Sequence, residues 1–83
     1  MAAKKQLITL IERENKICDL AIQHLTNRCN VFEEKYKLSS KDFYRLFQEG
    51  KMGDEQDSFE WKALIEGVNE WQQTKEGVKE LAS

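Results

Sequence analysis

The chain has 83 residues, a net charge of −2, 40% hydrophobic and 34% charged residues, two cysteines and no proline. That length limits it to one domain, and the balance of apolar and charged residues excludes a disordered chain. No apolar run reaches the roughly 20 residues that a membrane span requires, and the basic start is not followed by the apolar core of a secretion signal. The expectation is a cytoplasmic protein without a membrane association.

Charge divides unevenly. Residues 1–40 hold seven basic against five acidic side chains, and residues 41–83 hold six against ten. An acidic second half disfavours bulk nucleic-acid binding and suits a basic partner. A chain this short buries a modest share of its surface, so wide apolar helix faces call for a partner.

The first element is a long helix over residues 3–37. Leu7, Ile11, Cys18, Ala21, Leu25, Cys29, Phe32 and Tyr36 recur at spacings near three and four, with Glu14 in one slot. Leu10, Ile17 and Leu20 widen this stripe, and Ile8 and Ile22 lie beside it. The period is helical, and the face is broader than one neighbouring helix covers. Asn27 and Asn30 are weak helix formers and mark a place for a bend. Cys18 and Cys29 lie roughly 16 Å apart by helical rise. A disulfide needs Cα atoms within about 7 Å, so the expectation is two buried free thiols.

A second, short helix follows over residues 40–49. Ser39 with Asp42 three residues later has the form of a capping box, and Leu38 is placed to pack back on Phe43. Phe43, Leu46 and Phe47 form the inner face, with Tyr44 on its flank. Gly50 suits the left-handed position that ends a helix, and Met52 is placed to fold back after it.

Gly53-Asp54 punctuates the chain again before a third helix over residues 55–81. Asp54 or Asp57 is expected to cap it, and its acidic start favours the positive end of the helix dipole. Trp61, Leu64, Ile65, Val68, Trp71, Val78 and Leu81 form its stripe, with Lys75 in an intermediate slot. Phe59 is expected to close one end of the core against the second helix. Gly67 and Gly77 each weaken the helix by about 1 kcal/mol relative to alanine and offer close approach in return. The fold these patterns predict is all-α: a long helical hairpin bracketed by a short helix, with dimerisation completing a bundle.

Chemistry-bearing patterns are sparse. His24 is the lone histidine, there is no CxxC or HxxxH spacing, and the acids at 54–60 lack the ligand order of a calcium loop. Neither cysteine aligns with His24 on one helix, as a nucleophile and its base must. Gly50-x-x-Gly53 is not followed by the Lys-Ser/Thr of a phosphate loop. The expectation is a non-enzymatic protein without a cofactor or metal. The aromatics Phe32, Tyr36, Phe43, Phe47, Phe59, Trp61 and Trp71 are core candidates, while exposed Tyr44 or Trp71 would serve as partner anchors.

Residues 35–64 resemble a motif of small prokaryotic helical proteins, some of them predicted antitoxins encoded beside a toxin. The resemblance rests on Tyr36, Leu38, Ser39, Phe43, Phe47, Gly50, Gly53, Asp54, Asp57, Glu60 and Trp61, with Met52 where leucine is usual. It covers about a third of the chain. It implies a module that masks a small toxin or assembles with a partner protein, and it assigns no catalytic residue. Two alternatives stand beside it: a DNA-binding regulator of its own operon, and a structural homo-oligomer.

Overall fold

The computed structural model describes residues 2–52 and 56–82, which form three α-helices: α1 (Ala2–Tyr36), α2 (Ser40–Gln48) and α3 (Gln56–Ala82). The expectations for Gly53 and Asp54 lie outside the described residues. Helices α1 and α3 pack as a hairpin, with α2 across its closed end. Arg28 pairs with Glu60, Lys35 with Asp57, and Asp19 with Lys75, so the two long helices run in opposite directions. Helix α1 runs through Asn27 and Asn30 as one element, and α3 continues past Trp71 to Ala82.

The face of α1 turned toward α3 is Ile11, Asn15, Cys18, Ile22, Leu25, Cys29, Phe32 and Tyr36, each at least half-buried. Their spacing alternates four and three, which keeps one seam in register with a neighbouring helix. This corrects the sequence-based stripe in two places. Asn15, not Glu14, fills the inward slot, and Ile22 joins the seam instead of flanking it. Glu14 and Leu7 are exposed.

Each end of α2 has a local cause. Ser39 has extended backbone, and its hydroxyl accepts the Asp42 N–H at 3.1 Å. The Glu33 carboxylate accepts the Ser40 N–H at 2.7 Å, which satisfies a second donor at the helix start. At the other end, Gly50 has φ +76°. Its N–H donates to the Phe47 carbonyl at 3.1 Å, and the Lys51 N–H donates to the Leu46 carbonyl at 2.9 Å. This pair of bonds is a Schellman cap. Met52 packs against the core beyond it.

Helix α1 ends in a related way without a glycine. Lys37 takes the left-handed conformation at φ 54°, and the Leu38 N–H reaches back to the Glu33 carbonyl at 3.2 Å. A side chain there costs roughly 1–2 kcal/mol. Gly67 is the point of close approach between α1 and α3, since a Cβ there would lie 3.2 Å from Leu25 Cδ1. Gly77 faces open space.

Candidate functional site

The core sits at the closed end. Cys29, Phe43, Trp61 and Leu64 are buried together, and Leu25, Phe32, Tyr36, Leu38, Phe47, Met52 and Ile65 pack around them. Trp61 organises this cluster. Its ring lies 4.0 Å from that of Phe43 and almost parallel to it, at 4°. Phe32 and Tyr36 stack at 5.7 and 5.8 Å. The indole N–H donates to Ser40 Oγ at 2.8 Å, so the buried polar tip is satisfied. Phe43 and Trp61 are therefore core residues, as is the half-buried Phe47.

The other aromatics divide. Tyr44 is half-buried, and its hydroxyl donates to Glu66 at 3.3 Å. Trp71 is half-buried on α3. Phe59 meets Phe47 edge-on at 6.3 Å but leaves 61% of its surface exposed. It touches α2, as its position suggested, without closing the core.

The acids near the turn serve structure. Asp57 lies inside the first turn of α3, which begins at Gln56, so it is not the residue preceding the helix. It accepts a hydrogen bond from Lys35 at 2.6 Å and another from the Tyr36 hydroxyl at 2.7 Å. Those bonds, the Lys35 contact first, hold its carboxyl below the ordinary carboxylate range. The contact ties α3 to the last turn of α1. Glu60, three residues further along α3, ties it to α1 in the same way through Arg28. Asp42 supplies the N–H that Ser39 caps and lies 3.8 Å from Arg45.

Cys18 and Cys29 are buried free thiols. Burial pushes the Cys29 thiol up, partly offset by a hydrogen bond with Ser40, so it remains protonated near neutral pH. His24 is exposed. Lys75 reaches across the hairpin to Asp19, and that contact raises its ammonium above the ordinary lysine range. Among the described residues no group of three or more His, Cys, Asp or Glu side chains is placed to hold a metal ion. No helix in the described residues is long and apolar enough to cross a membrane.

An apolar row is left over on the outer side of α1. Leu10, Ile17, Leu20 and Val31 are 55%, 48%, 66% and 66% exposed. Leu10, Ile17 and Val31 share a seven-residue spacing that passes through His24, and Leu20 lies one turn from Ile17 on the same side. The row faces away from the seam that meets α3. Between Phe59 and Leu81, α3 exposes no large apolar side chain. The outer side of α3 is thus polar between these two residues, while that of α1 carries an apolar row among polar side chains.

A second exposed region lies at the open end. The Asp19–Lys75 pairing places the last turn of α3 near the level of Ile11, so the first turns of α1 extend beyond it. Leu7 and Ile8 there are 55% and 49% exposed, and Leu81 is 75% exposed. No family model, curated protein or solved structure matches the chain.

Proposed function

We propose that the chain is a non-enzymatic protein-interaction module that acts by covering a partner with helical surface. The observation that carries this reading is the row Leu10, Ile17, Leu20 and Val31 on α1, which the chain's own core does not use. Exposed large apolar side chains gathered along one side of a helix mark interaction sites. The side chains that would otherwise suggest chemistry are committed elsewhere: Asp57 and Glu60 fasten helices, Glu33 caps one, and the thiols are buried. The resemblance at residues 35–64 adds a partner class, a small toxin that this chain would mask as an antitoxin. A cytoplasmic setting accords with that role and with two free thiols.

Co-expression with the protein encoded by the adjacent gene tests the reading. The expected result is a stable complex that relieves growth inhibition and weakens when Ile17→Lys is introduced. Absence of a complex, with growth inhibition unchanged, contradicts the antitoxin role. Capture of the same proteins by the wild type and by Ile17→Lys contradicts the role of the α1 row.

A further inference from the structure

We propose that α3 beyond Trp71 is a strap that lifts off α1 while the closed end stays folded, uncovering Cys18 together with Ile11 and Ile22. The inward side of α3 runs through Trp61, Leu64, Val68, Trp71, Lys75 and Val78, at spacings that alternate three and four. As far as Trp71 those slots hold apolar side chains, with Trp61 and Leu64 buried. The next slot holds Lys75. Beyond it Val78 is half-buried, while residues 72–74, 76, 77 and 79–81 are exposed. On α1 the same stretch holds Asn15, whose buried Oδ1 has no hydrogen-bond partner among the described residues. An amine and an unpaired amide thus stand where the closed end has rings, and they flank Cys18, which has no exposed surface.

The contact between the helices is loose along the same stretch. An open groove lined by Asp19, Ile22, Gln72, Lys75 and Glu76 runs between α1 and α3, so the two surfaces do not close on each other. The Lys75–Asp19 ion pair spans the hairpin, but the Asp19 side chain stays 57% exposed, and exposed pairs contribute little to stability. Gly77 faces open space, so it lowers helix propensity without granting a close approach, unlike Gly67 beside Leu25. Residues 72–82 are also too few to hold a helix by themselves, because isolated helices shorter than about 12–15 residues are marginal in water. Release and unwinding of the strap are therefore one event. It begins at the Leu81 end and stops at Trp71, since Gly67 lies against Leu25 and Leu64 shares the closed-end core with Cys29. Opening of this kind lets the hairpin present Ile11, Cys18 and Ile22, otherwise turned inward, without unfolding.

Pulsed alkylation of the full chain with N-ethylmaleimide tests the strap, with each thiol followed by mass spectrometry of its peptide and scaled to its rate in the urea-unfolded chain. Cys18 is expected to react about tenfold or more faster than Cys29, which sits in the closed-end core, and with a shallower urea dependence than global unfolding. Gly77→Ala is expected to slow Cys18 by about fivefold through helix propensity. Lys75→Leu is expected to slow it by about tenfold by filling the seam. Phe43→Leu weakens the closed end and lowers global stability in urea unfolding, yet is expected to leave the Cys18 rate unchanged within about twofold. Equal scaled rates for the two thiols overturn the proposal, as does a Cys18 rate that rises in step with the stability lost in Phe43→Leu, because either places Cys18 exposure in global unfolding. A Cys18 rate that neither Gly77→Ala nor Lys75→Leu slows overturns it too, because the opening then does not involve the strap. Where Phe43→Leu does not fold, the urea dependence of the wild-type Cys18 rate makes the same distinction: a slope equal to that of global unfolding contradicts the strap.

Discussion

The two ends of the hairpin are built from the same two helices and differ in what closes them. At the closed end, α2 lies across α1 and α3, and four buried residues with seven partly buried neighbours form a three-sided core. At the open end only two helices meet. Two helices bury a seam but cannot enclose it, so Leu7, Ile8 and Leu81 stay exposed while Cys18 is buried further in. Polar satisfaction follows the same division. The Trp61 indole, the Tyr36 hydroxyl and the Ser40 amide all have partners near α2. Asn15, in the seam toward the open end, has a buried Oδ1 without a hydrogen-bond partner among the described residues. A helical hairpin of this size thus concentrates its order where the third element sits.

The largest expected effect removes the centre of the closed end. Trp61→Ala deletes the stack with Phe43, Phe32 and Tyr36 and leaves Ser40 unpaired, and should cost about 3–5 kcal/mol in urea unfolding. An equal loss from Ile11→Ala would break the contrast between the ends, because Ile11 has only the last turn of α3 beside it. Asn15→Leu should move stability the other way, by about 1–2 kcal/mol, because it removes a buried acceptor without a partner and fills the seam. Thermal unfolding of that variant at fixed protein concentration reads the gain.

Lys37→Gly sharpens the account of the turn. Glycine takes φ 54° without the crowding that a Cβ causes, so a stabilisation of about 1 kcal/mol is expected. A loss would show that Lys37 contributes more through its side chain than its backbone costs. The smallest effect concerns Asp57. Its folded-state pKa lies below the unfolded value, so its contribution is present above the ordinary carboxylate range and is lost as pH falls through the lowered value. The stability difference between wild type and Asp57→Asn should accordingly be constant at neutral pH and shrink only in acid. A difference that instead vanished on the alkaline side would contradict the Lys35 and Tyr36 bonds as its cause.

Much of this asymmetry was legible in the sequence. Ser39, Asp42, Leu38 and Gly50 declare the limits of α2 through local chemistry, and local chemistry is what a sequence displays directly. The hairpin follows from two long helical periods separated by that short element. The seam was harder. A stripe drawn through Leu7 and Ala21 drifts toward the outer row, because apolar residues cover both sides of α1 and hydrophobicity alone does not say which side meets α3. Asn15 is invisible to such a stripe because it is polar. Residues Lys35, Tyr36 and Asp57 were individually visible, but their contact depends on the register between helices. Lys37 marked a stop without the glycine that announces a left-handed residue. The outer row appeared as the excess width of α1 and became a distinct surface once α3 was placed against the other side.

Residue-resolved native-state hydrogen exchange, at concentrations where the chain is monomeric, tests the unequal ends most directly. The account predicts the slowest exchange in α1 from Leu25 to Tyr36 and in α3 from Trp61 to Val68, with protection falling steadily toward Leu7 and Leu81. Uniform protection along both long helices, or the strongest protection at the open end, would contradict it.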